Sequence, residues 1–408
     1  MSSQFQTRIG LTEALSILKQ VAATSLLAGE RQALSRCLGL VLAEDVVADS
    51  PLPGFDNSAM DGFALRAADA THAGAELRLV GEQFAGLALA LQVHPGECLR
   101  ITTGASIPVG ADAVVMKEQT SIEADRIRVT KPVASGQHLR RAGEDVQPGD
   151  KILSRGQVLS PAALALAAAL GKPELVVHRR PTVAVFTSGD ELRPPGQALA
   201  PGEIHDSNRV LLQTLLLADG YEPVAWPVLP DDPARIAAAL NDAAQSFDLI
   251  LTCGGVSAGE RDFLPAFMAQ QGEVHFWKVR MRPGMPVLAG RLGNAQVLCL
   301  PGNPVSVLAT YLVLARALLD GMQGRKSPRP VWKAKLAADF RKRHDRLEFL
   351  RGHLRQDDAG VLWVEPNPAD GSHRMRAVAD SNALIVLPEA ENEWLAGSLL
   401  DVLPLPGH

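Results

Sequence analysis

The sequence predicts a multidomain α/β plus β protein. Its centre is a doubly wound, mostly parallel α/β domain, with additional mainly β domains before it and a small C-terminal β domain after it. Three observations carry this expectation. From residue 181 to about 327, short apolar runs alternate with amphipathic helical patterns, the rhythm of a parallel sheet covered by crossover helices. Residues 51–139 carry short strand-like runs punctuated by Gly, Pro and Asp, without long helical periods. After "KSPRP" (326–330), strand-like runs return. A chain of 408 residues accommodates two to four such units.

Taken in order, "LTEALSILKQVAATSLL" (11–27) has helical apolar spacing at Leu11, Leu15, Leu18 and Ala22. "DAVVM" and "RIRVT" read as strands of the first β domain (51–139). "SPAALALAAALG" predicts a short helix with Ser160 as N-cap, Pro161 at the first position and Gly171 at the stop. Residues 1–50 and 140–178 are expected to pack together as an elongated connecting domain. Within 179–327, "PTVAVFTSG", "EPVAWPVLPDD", "DLILTCGG", "EVHFWKV", "MPVLAGRL" and "AQVLCLPG" read as strands. "DSNRVLLQTLLLADG", "PARIAAALNDAAQSF", "DFLPAFMAQQG" and "PVSVLATYLVLARALLDGM" read as helices. The tail, 328–408, reads as strands at "VWKAKLAADF", "LEFLRGHL", "VLWVEP", "ALIVLP" and "LLDVLPLP".

Composition narrows the function classes. A net charge of −5 with 21% charged residues provides no basic field for nucleic acid or an anionic membrane, and 4% aromatics is poor material for base-stacking platforms. Cys37, Cys98, Cys253 and Cys299 are scattered without CxxC spacing, which disfavours a zinc site or disulfide framework and suits a reducing compartment. "MSSQFQTRIG" lacks the basic start and apolar core of a signal peptide, and runs such as "PAALALAAALG" are too short to span a bilayer. A soluble cytoplasmic protein is expected.

In a doubly wound sheet, ligands bind outside the carboxyl ends of the strands. The loops falling there are "TSGDEL", "LPDD", "TCGGVSAGERD", "KVRMRPGMP" and "LPGNPVS". They place Gly254 and Gly255 where bare backbone lets a phosphate approach. Glu191, Asp231 and Asp262 are positioned to hold Mg²⁺, and Lys278 and Arg282 to hold a second anion. Each feature has a plainer explanation alone: a Gly-Gly turn, an Asp that caps a helix, a solvated lysine. Convergence of five loops on one edge is what favours a site. There is no GxGxxG after a strand and no Walker A loop, so ordinary dinucleotide and P-loop chemistry are disfavoured. A distant second constellation, "PGFDNSAMDGFALRAAD" (53–69), is polar and turn-rich, as are "RITTGASIP" and "RRAGEDV".

Together, "PGFDNSAMDGFA", "TTGASIP", "GED", "TSGDEL", "CGGVSAGERD" and "LPGNPVS" closely resemble the molybdopterin molybdenumtransferases, the molybdenum-insertase family that includes the catalytic part of gephyrin. The resemblance spans essentially the whole chain in order. It implies a homodimer of elongated, four-part subunits with a composite site, which joins molybdate to adenylated molybdopterin, forms the molybdenum cofactor and releases AMP with Mg²⁺. By motif position it implies Asp61, Thr103 and Asp145 from the smaller domains. From the α/β domain it implies Glu191, Asp231, Asp262, Gly254, Gly255, Ser257, Lys278, Arg282, Pro301, Pro304 and Ser306. Arg351 and Ser372 follow from "FLRGHL" and "DGSHRM". An adenylyltransferase and molybdoenzyme-maturation proteins are implied as further partners. No Ser–His or Cys–His nucleophile is implied, so positioning and electrostatics carry the chemistry. The sequence departs from the family at "MRPGMP": many members have lysines on both sides of the Pro-Gly, where this chain has Arg282 and Met285. Two other functions compete. A molybdopterin adenylyltransferase is usually a single α/β domain, and a non-catalytic gephyrin-like scaffold would need a recognition segment that does not stand out here.

Overall fold

The computed structural model describes residues 6–257, 262–369 and 371–407. Its centre is a seven-stranded sheet in the order Gln6–Ile9, Glu273–Val279, Leu288–Leu292, Ala295–Leu300, Leu249–Cys253, Val183–Thr187, Val224–Ala225. Leu249–Cys253 pairs in parallel with both Val183–Thr187 and Ala295–Leu300, and every residue of these three strands is buried. Burial on both faces explains why they read as unbroken apolar runs. The sheet is mixed, because Leu288–Leu292 runs antiparallel to both its neighbours.

One face is covered by helices Leu11–Thr24 and Ser207–Ala218 and by the long helical run from Pro304 to Met322, around a core that includes Leu18, Leu216, Leu298 and Leu319. The other face is covered by helices Pro233–Ala244 and Leu264–Gln271, around Ile236, Leu240, Ile250 and Met268. The 19-residue stretch Pro304–Met322 is long and apolar enough to cross a membrane, yet most of it is buried against this core. It is not one regular helix: a π-helical turn, Tyr311–Ala315, interrupts it.

The N-terminal segment corrects one expected boundary. Gln6–Ile9 adds a parallel strand to Glu273–Val279, and helix Leu11–Thr24 packs beside Arg316–Met322. The approach is close: a Cβ placed on Gly321 would lie 2.5 Å from that of Ala22. These residues therefore belong to the α/β body. The connecting domain begins near residue 29, where Gly29–Ala33 and Val41–Leu42 flank Glu174–His178, and Val46–Val47 pairs with Lys151–Leu153. Its helix Pro161–Ala169 starts as expected, with Ser160 accepting from the Ala163 N–H.

The first β domain is a six-stranded sheet over a core of Phe63, Leu65, Leu77 and Ile127. In the C-terminal domain, Leu347–Gln356, Leu362–Pro366, Trp332–Leu336, Leu399–Pro404 and Ala383–Leu387 pair in a ring that returns to Leu347–Gln356, a small closed barrel. Strand pairing and a shared core weld it to the α/β body. Met281–Arg282 pairs in parallel with Leu347 and Glu348, and Phe349, Leu384 and Leu405 join the core on the Pro304–Met322 side of the sheet. The connection between the bodies is also pinned. Arg329 donates to both oxygens of Asp320 (2.8 and 2.9 Å) and to Asp219 (2.9 Å), and Asp219 also accepts from Arg316 (2.7 and 2.8 Å) and the Tyr311 hydroxyl (2.8 Å).

Candidate functional site

Two adjoining clefts open at the carboxyl ends of the sheet strands. The first, about 450 Å³, lies directly above Val183–Thr187 and Leu249–Cys253. Glu191, Asp231, Asp262, Gly254, Gly255 and Pro304 all line it, so five of the loops expected to converge contribute to two clefts that meet on this edge. Gly254 and Gly255 have φ of +93° and +65°, and a Cβ on Gly254 would come within 3.2 Å of the Ser188 carbonyl oxygen. Both backbone conformation and neighbouring chain therefore favour glycine there.

Local structure separates ligand-facing carboxylates from capping ones. In "LPDD", Asp232 caps the following helix by accepting from the Ala234 and Arg235 N–H groups, while Asp231 lines the cleft. The Asp231 N–H donates to Asp190 (3.1 Å), tying two of the loops together. Asp262 does not cap: the helix starts at Leu264 with Phe263 as its N-cap. Residues 258–261, the "AGER" of "CGGVSAGERD", lie outside the described residues. Ser257 is exposed and lines neither cleft.

Glu191, Asp231 and Asp262 share the cleft, but among the described residues no three His, Cys, Asp or Glu side chains gather tightly enough to hold an ion by themselves.

The second cleft, about 360 Å³, lies between the sheet edge and the barrel. Arg282, Arg346 and Arg351 contribute positive charge against Glu348, and Pro301, Ser306 and Ser372 also line it. Arg282 Nε sits 3.5 Å from Glu348 Oε1. Arg351 is 4% exposed and its guanidinium donates to the carbonyls of Gly371 (3.0 Å) and Ala369 (2.5 Å). It thereby holds Ala369 and Gly371, and the Ser372 carbonyl accepts from the Val305 N–H (3.2 Å). Lys278 lines neither cleft. Its φ of +70° turns it aside, and its ammonium sits 4.1 Å from the centroid of the Trp277 ring.

Asp61, Thr103 and Asp145 also line neither cleft. Asp61 and Thr103 do meet. Asp61 Oδ1 accepts from the Thr103 N–H (2.8 Å) and hydroxyl (2.9 Å), which together hold its carboxyl below the usual range and keep it anionic. All three residues are exposed.

Sequence reasoning did not single out several residues of the clefts. Asp206, 1% exposed, accepts from the Thr187 hydroxyl (2.6 Å) and caps helix Ser207–Ala218; Asn208 donates to the Gly302 carbonyl (2.6 Å). A capping "DSN" just before a helical pattern was the available signal. His373 reaches the first cleft from the barrel, a placement no local pattern announces.

A glycine-lined, carboxylate-bearing cleft beside an arginine-bearing one, at the carboxyl edge of the central sheet, is where proteins of the doubly wound α/β class place their ligands. Known proteins make this specific. Residues 9–171 match the MoeA N-terminal region (domain I and II), 184–321 a probable molybdopterin binding domain, and 333–405 the MoeA C-terminal region (domain IV). The chain is 40% identical to molybdopterin molybdenumtransferase 2 of Mycobacterium tuberculosis, covering 91% of this chain and 94% of that one. It is 37% identical to the molybdopterin molybdenumtransferase of Haemophilus influenzae over 91% and 92%. The crystal structure of the molybdopterin biosynthesis moeA protein from Pyrococcus horikoshii superposes with a TM-score of 0.83 at 30% identity, covering 98% of this chain and all of that one. The chain belongs to the molybdopterin molybdenumtransferases, and is a transferase of the MoeA fold.

Proposed function

We propose that the protein inserts molybdenum from molybdate into adenylated molybdopterin, yielding the molybdenum cofactor and AMP, as a cytoplasmic homodimer working with Mg²⁺. The observation that carries this reading is the adjacency of the two clefts: the first suits a phosphate-bearing ligand and the second an oxyanion. In the reaction, the two dithiolene sulfurs bind molybdenum and release one oxo group as water. Cleavage of the phosphoanhydride consumes one water, so the two halves balance. The chain's contribution is to hold both reactants and to place charge around the departing phosphate.

Hard oxygen donors suit Mg²⁺, which usually keeps several waters. Glu191, Asp231 and Asp262 fit a cation held by one or two carboxylates together with water and the ligand's own phosphate oxygens. When bound, the ion would neutralise charge that builds on the departing AMP. An adenylyltransferase would supply the substrate, and molybdoenzyme-maturation proteins would take the product. The four cysteines are free and buried, which fits a reducing compartment.

The deciding test is AMP release from adenylated molybdopterin with Mg²⁺, with and without molybdate. Molybdate-dependent release is expected. Release without molybdate, or none at all, contradicts the insertase reading.

Asp61, Thr103 and Asp145 form part of the family motifs yet stand outside both clefts of their own chain, which supports their acting on the cleft of a second subunit. Asp61→Ala and Asp262→Ala proteins, each inactive, are then expected to recover activity when mixed and allowed to exchange subunits, since one of the two sites in each mixed dimer is intact. Demonstrated exchange without recovery rules out a shared site.

A further inference from the structure

Arg282 brings a planar fork to the cationic cleft where a lysine would bring a point charge, so its orientation decides what it can bind. Its Nε faces Glu348 Oε1 at 3.5 Å. Glu348 is out of place at first sight: a carboxylate only 7% exposed, lining a cleft suited to an oxyanion that it would repel. Its other oxygen has a different neighbour. His344 Nε2 lies 3.1 Å from Glu348 Oε2, close but off the line of a hydrogen bond. His344 itself lines neither cleft.

The state of the imidazole follows from its surroundings. Its Nδ1 accepts from the Arg346 N–H (3.3 Å), which leaves the proton of the neutral ring on Nε2, toward Glu348. Burial holds its pKa below the ordinary 6.5; Glu348 pulls the other way, while Arg282, Arg346 and Lys342 act with burial. The ring is therefore neutral at pH 7. The turn that carries it is closed by Lys342, whose ammonium donates to the Arg346 carbonyl (3.1 Å).

We infer that His344 is a positioning residue for oxyanion capture: by holding one oxygen of Glu348, it stops that carboxylate from closing on Arg282 with both. This deepens, and rests on, the function proposed above. The physical reason is competition for donors. A poorly solvated carboxylate that loses one donor is drawn to the nearest remaining one. Here that is the Arg282 guanidinium, whose fork suits a two-point grip on a carboxylate. Arg282 would then be neutralised by Glu348 and withdrawn from the oxyanion.

The test uses the full-length protein, with molybdate affinity measured by calorimetry and molybdate-dependent AMP release followed in parallel. His344→Ala is expected to weaken molybdate binding about 5- to 20-fold, with kcat at saturating molybdate within about twofold of wild type. His344→Gln, whose amide can still donate to Glu348, should recover most of the affinity. In an Arg282→Gln background, His344→Ala should cost no more than about twofold further, because the group it positions is already gone. Unchanged molybdate affinity in His344→Ala, no recovery in His344→Gln, or an equal loss in the Arg282→Gln background overturns this inference alone. Absence of molybdate-dependent AMP release in wild type overturns the underlying function as well.

Discussion

Replacing Asp219 by alanine is expected to destabilise the protein by about 3–5 kcal/mol, because it strands the Arg316 guanidinium in a poorly solvated place and takes one of two carboxylate partners from Arg329. The Asp219 side chain is 5% exposed, and those of Arg316 and Arg329 are 13% and 25% exposed. Arg329 keeps Asp320, but Arg316 loses its paired carboxylate. Burial works to raise the Asp219 pKa, yet Arg316, Arg329 and the Tyr311 hydroxyl more than offset it, leaving the carboxyl below its ordinary 3.8. The sign follows from linkage: a depressed pKa stabilises the fold above the unfolded value and ceases to do so as pH falls through the folded value. The contribution is thus intact at neutral pH and is lost below about pH 4. Urea titrations at pH 7 should show a lower midpoint for Asp219→Ala with an unchanged slope, and the gap from wild type should narrow in acid. A pH-independent gap would show that packing, not charge, is what alanine removes.

Asp262→Asn is expected to lower AMP release by about 10²–10³-fold at ordinary Mg²⁺, with partial recovery as Mg²⁺ is raised. Arg282→Gln should instead raise the molybdate requirement about 10- to 100-fold, the worth of one charge-assisted hydrogen bond of ~1.5–3 kcal/mol, and leave the Mg²⁺ dependence alone. The assignment follows position. Asp262 lines the glycine-rich cleft without capping its helix, and Arg282 lines the cationic one. Titrating both ions against both variants separates the roles. Identical shifts in the two titrations would refute the division.

Much of this was legible in the chain itself. Strands covered on both faces read as unbroken apolar runs, so Val183–Thr187, Leu249–Cys253 and Ala295–Leu300 stand out, and with them the edge where the loops gather. What depends on long-range pairing did not. Gln6–Ile9 is four residues long, and its partner strand lies some 270 positions away, so the first segment was assigned to the wrong body. Closure of the C-terminal strands into a ring is likewise a matter of register between distant segments. At the site, the sequence locates charge near a strand end without saying which way the side chain turns. Lys278 and Arg282 flank the same bend, and a left-handed backbone at Lys278 sends one onto Trp277 while the other reaches the cleft. Asp231 and Asp232 divide in the same manner between ligand and helix.

The pairing of Met281–Arg282 with Leu347 and Glu348 bears on how the protein should fail when heated. Arg282 belongs to the α/β body, while Arg346, Glu348 and Arg351 belong to the barrel, and the cationic cleft exists only while that seam is closed. Undocking the barrel would break the short Met281–Arg282 pairing and dismantle the cleft, while the five ring strands of the barrel and the seven of the central sheet keep their own hydrogen-bonded ladders. Local opening of this kind takes less free energy than global unfolding. Thermal inactivation should therefore run ahead of the loss of circular dichroism, and molybdate, on the proposal that it binds across the seam, should narrow the interval between the two.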